Sequence, residues 1–211
     1  IGLTTNIYPD KCKREDVLIG LAQKKRLDHF EFKIIGKGWE SIVPILEQSG
    51  AKVSLYAGSD NYAADYQKIL ETVPQFDYYL YMGLDEGSMG LLDALAAGVP
   101  TIVTPQGFHV DIPDGITHPF WESSDLLQIF NQIEAERIKR IQAARFLTWG
   151  EYARKHALLW RAMLDGRKDD LQSAINSGAS AASSASYSIP ATTMLASKIN
   201  YYVKPLVNFI T

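Results

Sequence analysis

Hydrophobic positions along the first 105 residues form short apolar runs that alternate with longer stretches of mixed polarity. Four of the runs are brief and bounded by Gly, Pro or Asp, which is typical of buried parallel strands. These runs cover residues 30–35, 52–56, 76–82 and 100–104. The intervening stretches have the length and apolar spacing of helices. The predicted helices cover residues 13–24, 39–48, 62–72 and 88–97.

This alternation of strands and helices predicts βαβ units. Right-handed crossovers then give an α/β fold, an open doubly wound parallel sheet of Rossmann-like type with helices on both faces. Such sheets bind ligands in the crevice at the carboxyl ends of their strands, so the chemistry is expected in the loops at that edge. The loops rich in Gly, Asp and Lys cover residues 4–13, 36–38, 58–60, 83–87 and 105–109.

A different pattern begins at Ser123. Apolar side chains three to five positions apart predict amphipathic helix over residues 123–164, with a bend near residues 148–150. Residues 177–188 are almost entirely Ser, Ala and Gly, which is typical of a flexible linker. The predicted organisation is a Rossmann-like domain, a linker and an amphipathic carboxyl-terminal segment, at residues 1–166, 167–190 and 191–211.

Charge and cysteine content narrow the function classes. The 21 Lys and Arg residues nearly balance the 24 Asp and Glu residues, for a net charge of −3, which argues against a nucleic-acid platform. The single cysteine, Cys12, cannot form an internal disulfide, and no Cys/His cluster has zinc-ligand spacing. No run of about 18 apolar residues is present to span a bilayer. We expect a cytoplasmic protein without a metal or another cofactor.

The segment 85–103 carries the most informative motif. An apolar strand ends at Gly83, a turn with glycine follows, and a helix begins near Ser88. The free N–H groups and the dipole at the start of a helix suit a phosphate. Asp85 and Asp93 are separated by seven residues, so both carboxylates can face the crevice and accept hydrogen bonds from the hydroxyl groups of a sugar or a ribose.

At these residues the sequence resembles the nucleotide-sugar glycosyltransferases of the GT-B fold, especially the retaining family 4 (glycosyl transferases group 1). The family pattern is an acid, seven residues, a second acid, then Ala-x-Ala-x-Gly-x-Pro and a strand. It is matched by Asp85, Asp93, Ala94, Ala96, Gly98 and Pro100. Both acids are Asp where the family usually has Glu, and the family's Arg after the first strand has no counterpart among residues 3–8. The resemblance covers residues 1 to about 165 and implies the carboxyl-terminal half of a GT-B fold.

The resemblance also implies roles for particular residues. Asp85 or Glu86 would contact the donor sugar, and Asp93 would hold the ribose. Lys13 would neutralise the donor diphosphate, with Arg14 or Lys11 as substitutes. The catalytic candidates are therefore Asp85, Glu86 and Lys13. The donor-binding candidates are Arg14, Gly36, Gly38, Gly58, Gly87, Ser88, Met89, Asp93 and Gly107.

Several of these residues have a simpler structural interpretation. The pair Gly36 and Gly38 is more often a tight turn than a phosphate cradle. Lys13 and Arg14 could form a solvated first helical turn. His109 follows a strand's carboxyl end and is a minor active-site candidate. The aromatic cluster Tyr78, Tyr79 and Tyr81 is most simply explained by strand packing.

The sequence thus predicts the nucleotide-sugar-binding half of a glycosyltransferase involved in polysaccharide biosynthesis. It would transfer a sugar to a glycan or lipid-linked acceptor, and an acceptor-binding domain would precede Ile1. The alternatives are a non-catalytic domain for binding or assembly, and a sugar-nucleotide epimerase. The apolar positions of the last segment would pack on the chain's own domain, on a second subunit or on a membrane surface. They are Leu195, Ile199, Tyr202, Leu206 and Phe209.

Overall fold

The computed structural model describes residues 1–59, 61–145 and 147–166 of the chain. The chain divides into two compact units, Ile1–Ile141 and Gln142–Thr211. The predicted linker and carboxyl-terminal segment lie outside the described residues, so both remain predictions, as do the predicted domain limits.

The first unit contains a six-stranded sheet. The strands are β1 (Gly2–Leu3), β2 (Glu31–Ile35), β3 (Lys52–Tyr56), β4 (Tyr79–Tyr81), β5 (Thr101–Val103) and β6 (His118–Pro119). The helices are α1 (Glu15–Lys24), α2 (Val43–Gln48), α3 (Tyr62–Thr72), α4 (Met89–Ala96), α5 (Ser123–Arg145) and α6 (Trp149–Leu164). Two short 3₁₀ helices cover Val73–Gln75 and Gly107–Asp111.

All strand pairs are parallel, in the order β3-β2-β1-β4-β5-β6. This order confirms the predicted Rossmann-like sheet. The order reverses between β1 and β4, and the crossovers on the two sides of that point run in opposite directions. The loops after β1 and β4 therefore diverge and leave a crevice at the carboxyl edge of the sheet.

Both faces of the sheet are covered, because successive side chains of a strand point to opposite faces. In β4, Leu80 belongs to the larger hydrophobic cluster, whereas Tyr79 and Tyr81 belong to the smaller one. Helices α1, α2 and α5 contribute buried side chains to the larger cluster, and α4 contributes Leu91 and Ala94 to the smaller. The helices thus lie on both faces, as a doubly wound sheet requires.

The observed elements differ from the predicted ones at their ends. Helix α1 begins at Glu15 rather than at Lys13 because Arg14 adopts a left-handed conformation, with φ of 51°. Helix α2 begins at Val43 rather than at Trp39. The Trp39 indole is fully buried and donates through Nε1 to the Thr5 carbonyl at 2.7 Å, which holds this residue in the preceding turn.

In the second half of the chain, the break between the last two helices and the last strand can be compared with the sequence prediction. The predicted bend corresponds to the break between α5 and α6, where the Thr148 hydroxyl accepts a hydrogen bond from the Glu151 amide at 3.2 Å and caps α6. Strand β6 was not predicted, because two residues are too short to produce an apolar run.

Phe130 provides a test of how α5 is held on the sheet. Its ring is fully buried, with centroid distances of 4.8 Å to Phe30 and 6.2 Å to Phe32. We expect Phe130→Ala to lower the free energy of unfolding by about 3–5 kcal/mol, because it leaves a cavity between helix and sheet. Urea denaturation measures the loss. Ile138→Ala, at an exposed position of the same helix, is the control, and equal losses for the two variants would contradict the placement of α5.

Candidate active site

The loop after β1 carries Lys13 to the crevice. Two residues of this loop, Lys11 and Arg14, have positive φ values of 59° and 51°, so the chain turns tightly on both sides of Lys13. The Cys12 carbonyl accepts a hydrogen bond from the Leu84 amide at 2.8 Å. This bond joins the loop after β1 to the loop after β4, directly across the point where the strand order reverses.

Lys13, Tyr81 and Asp85 form a cluster at that junction. The Lys13 ammonium forms an ion pair with Asp85 Oδ2 and donates to the Tyr81 hydroxyl at 2.9 Å. The Tyr81 hydroxyl in turn lies 2.6 Å from both carboxylate oxygens of Asp85 and donates to them. The two predicted residues are therefore brought together, and Tyr81 bridges them.

The surroundings of the cluster determine the protonation states of Asp85 and Tyr81. Burial alone would raise the pKa of Asp85, but hydrogen bonds from Lys13, Tyr81 and the Gly87 amide outweigh it and lower that pKa. Burial and the adjacent Asp85 carboxylate raise the pKa of Tyr81. At neutral pH Asp85 is therefore a carboxylate and Tyr81 a neutral donor.

Two amides before helix α4 already have protein acceptors. The Gly87 amide donates to Asp85 Oδ1 at 3.0 Å, and the Ser88 amide donates to His109 Nε2 at 2.8 Å. The Ser88 hydroxyl lies 3.0 Å from the hydroxyl of Tyr79. Gly87 and Ser88 thus lie at the crevice as predicted, but their N–H groups stabilise the loop in this structure.

His109 is buried beneath the start of α4. Its ring meets the rings of Tyr81 and Phe108 edge-on, at centroid distances of 5.3 Å and 5.1 Å. Burial lowers the pKa of His109, so the ring is neutral at neutral pH and Nε2 can accept the Ser88 N–H. The histidine therefore orders the loop that carries Asp85.

Three predicted glycines are explained by close approaches of the backbone. A Cβ on Gly36 would lie 2.0 Å from the Thr5 carbonyl oxygen, and one on Gly107 would lie 2.1 Å from the Glu86 carbonyl oxygen. A Cβ on Gly38 would lie 3.0 Å from the Ile7 carbonyl oxygen. These glycines let neighbouring crevice loops pack on one another, which supports the tight-turn interpretation of residues 36–38.

The remaining predicted residues are spread along the crevice edge. Asp93, on α4, is half-buried and accepts a hydrogen bond from the Tyr66 hydroxyl at 3.2 Å. Glu86 and Met89 are exposed. Gly58 lies beside the Asp65 carboxylate. The Arg14 guanidinium donates to the Trp121 carbonyl at 2.6 Å, so it does not join the Lys13 cluster.

Tyr81 is the site residue that sequence reasoning missed, since it was assigned to strand packing. The available signal was its position, four residues before Asp85 at the carboxyl end of an apolar strand. A tyrosine there can bury its ring while its hydroxyl reaches the crevice.

A cavity of about 570 Å³ lies at the opposite, amino edge of the sheet. Its lining includes His29, Glu31 and Asp77 at the amino ends of β2 and β4, Lys33 within β2, and Arg137 on α5. Within the described ranges, no group of three or more His, Cys, Asp or Glu side chains could hold a metal ion. In the same ranges no helix has the length and hydrophobicity to cross a membrane.

Comparison with known proteins identifies similar solved structures. One is the catalytic domain of cholesterol-α-glucosyltransferase from Helicobacter pylori, at 13% identity and a TM-score of 0.47. The alignment covers 83% of this chain and 97% of that domain. AviGT4, a glycosyltransferase involved in avilamycin A biosynthesis, aligns with 78% of this chain at 17% identity and a TM-score of 0.40. The alignment spans 51% of AviGT4. No protein-family model and no curated protein matches the chain.

The lowered pKa of Asp85 predicts a specific dependence of stability on pH. A carboxylate with a lowered folded-state pKa contributes stability above its unfolded pKa of about 3.9, and loses that contribution as the pH falls through the folded value. We expect wild type to exceed Asp85→Asn in unfolding free energy at pH 7, and the difference to shrink below about pH 4. Urea denaturation from pH 7 to pH 3 measures it. A difference that grows on acidification would contradict the assignment.

Proposed function

We propose that this chain is the donor-binding domain of a glycosyltransferase that uses a nucleotide sugar. In this proposal the donor binds at the carboxyl edge of the sheet, and its sugar is transferred without a metal, with retention, to a glycan or lipid-linked acceptor in polysaccharide biosynthesis. A separate amino-terminal domain would supply the acceptor site. The proposal follows the motif resemblance and the site geometry.

The observation that carries the proposal is the cluster of Lys13, Tyr81 and Asp85 at the switch point of the sheet. An ammonium held at this place can meet the negative charge of a diphosphate as the sugar departs. The ion pair joins the two loops that border the crevice, which is where doubly wound sheets bind nucleotides.

Asp93 and Glu86 would contact the rest of the donor. The Asp93 carboxylate lies on α4, eight positions beyond Asp85, and accepts one hydrogen bond from Tyr66. Its remaining lone pairs can accept from ribose hydroxyls. Glu86 has an exposed side chain beside the start of α4, where it can accept from a sugar hydroxyl.

A non-catalytic binding domain is a second candidate, and one observation favours it. Because the Gly87 and Ser88 amides donate to Asp85 and His109, they are not free to stabilise charge on a departing diphosphate. Such a domain would bind nucleotide sugars through Lys13 and Asp93 without turning them over. Turnover assays of this domain together with an amino-terminal acceptor domain, with a panel of nucleotide sugars, separate the candidates. A transferase releases nucleoside diphosphate, an epimerase returns an altered sugar, and a binding domain does neither.

Ligand binding tests the role of Lys13 directly. We expect Lys13→Met to lower the affinity for a nucleoside diphosphate by at least tenfold, because the diphosphate carries the charge that the ammonium meets. The affinity for the corresponding nucleoside should remain almost unchanged. Isothermal titration calorimetry of the 211-residue chain with UDP, GDP, ADP and CDP, each beside its nucleoside, measures both affinities.

The resemblance left Lys11 as a substitute for Lys13, but in the structure Lys11 is exposed and makes no ion pair among the described residues. Lys11→Met, in the same loop, is therefore the matched control. It should leave diphosphate affinity within about twofold of wild type. Equal losses of diphosphate and nucleoside affinity in Lys13→Met would place the phosphate site elsewhere.

A further inference from the structure

We propose that Tyr81 and Asp85 are positioning residues that hold the Lys13 ammonium for an anionic ligand, and that Glu86 rather than Asp85 is the acid that contacts the donor sugar. This inference rests on the proposed function and deepens it. It divides two adjacent acids, which the sequence pattern cannot distinguish, between two different tasks.

Three protein donors already occupy most of the acceptor positions of the Asp85 carboxylate. Oδ1 accepts from the Tyr81 hydroxyl at 2.6 Å and from the Gly87 amide at 3.0 Å. Oδ2 accepts from Lys13 and lies 2.6 Å from the same hydroxyl. A carboxylate offers about four acceptor positions, and only 12% of this side chain is exposed. Asp85 therefore has little capacity for a sugar hydroxyl.

The Lys13 ammonium retains capacity for a ligand. It has three N–H donors, and the described residues supply hydrogen-bond acceptors for two of them, on Asp85 and Tyr81. The ammonium also lies over the rings of Tyr8 and Tyr81, at 6.0 Å and 5.3 Å from their centroids. Lysine side chains are flexible, so these contacts fix the direction of the remaining N–H group.

Glu86 combines a fixed backbone with an exposed carboxylate. Its carbonyl accepts from the Phe108 amide at 3.0 Å, and Gly107 packs against the same carbonyl. Its side chain is exposed, and none of the residues that the structure describes donates a hydrogen bond to it. Of the two acids in this turn, Glu86 is thus the one available to a ligand.

A double-mutant cycle tests the positioning role. Tyr81→Phe removes the bridging hydroxyl without changing charge or ring volume. The ligand is UDP or GDP, whichever binds wild type more tightly. We expect the variant to lower the affinity for this diphosphate by about three- to tenfold and to leave the affinity for the nucleoside unchanged. In a Lys13→Met background the same change should have no further effect on diphosphate affinity, because the hydroxyl acts through Lys13. An equal loss in both backgrounds would overturn the positioning role.

The division between the acids is tested with the diphosphate and its glucose conjugate. Glu86→Gln should lower the affinity for the nucleotide sugar by about tenfold and leave the affinity for the diphosphate within about twofold of the wild-type value. Asp85→Asn should change the affinities for both ligands by the same factor, because it acts on the phosphate end. A loss specific to the sugar in Asp85→Asn would overturn the assignment of Glu86.

A ligand-free measurement separates this inference from the proposed function. Brief acetylation of the folded chain with acetic anhydride, followed by mass spectrometry, gives the labelling rate of Lys13 relative to the exposed Lys11. We expect slow labelling of Lys13 in wild type and faster labelling in both Tyr81→Phe and Asp85→Asn. Failure of every nucleotide to bind, with this protection intact, would refute only the proposed function and the assignment of Glu86. Unchanged labelling in two variants with native thermal unfolding would overturn the positioning role itself.

Discussion

Strand β4 is the constraint on which both the fold and the site depend. It pairs with β1 on one side and β5 on the other, and its alternating side chains belong to the hydrophobic clusters on both faces of the sheet. Tyr81 ends this strand with a buried ring and a hydroxyl at the crevice. Because packing fixes the ring, the position of the hydroxyl is also fixed. The hydroxyl accepts a hydrogen bond from Lys13 and donates one to Asp85.

The position of that hydroxyl follows from the strand order. The strand order reverses between β1 and β4, so the loops after these strands border the crevice from opposite sides. The ion pair between Lys13 and Asp85 joins these loops and holds the Lys13 ammonium at the crevice. Close-packed glycines and the buried His109 then fix the surrounding loops.

The fold could be predicted because four of its six strands are short apolar runs that differ clearly from the longer helical stretches between them. Strands β2 to β5 and helices α1 to α4 lie within or close to their predicted ranges. The ends could not be predicted, since they depend on tertiary contacts. Trp39 looks helical in sequence, yet its indole is held by the Thr5 carbonyl and the helix starts four residues later.

The same limit applies to the site. Spacing along the chain indicated Asp85 and Asp93 as crevice residues, and the family resemblance indicated Lys13, since the carboxyl ends of parallel strands share one edge. Spacing could not show that Tyr81 would bridge Lys13 and Asp85, or that His109 would accept the Ser88 amide, since these contacts join residues far apart in sequence. The sequence favoured a tight turn at Gly36 and Gly38, but it could not show which backbone atoms approach them, the carbonyl groups of Thr5 and Ile7.

We propose above that a nucleotide sugar binds at the carboxyl edge of this sheet. A titration of the ¹⁵N-labelled 211-residue chain with UDP-glucose and GDP-glucose, followed by two-dimensional amide spectra, tests it most directly. The account predicts that the largest shift changes fall in the loops after β1 and β4, at residues 4–13 and 83–88. Shift changes confined to the cavity at the amino edge, at residues 29–33 and 75–78, would contradict it.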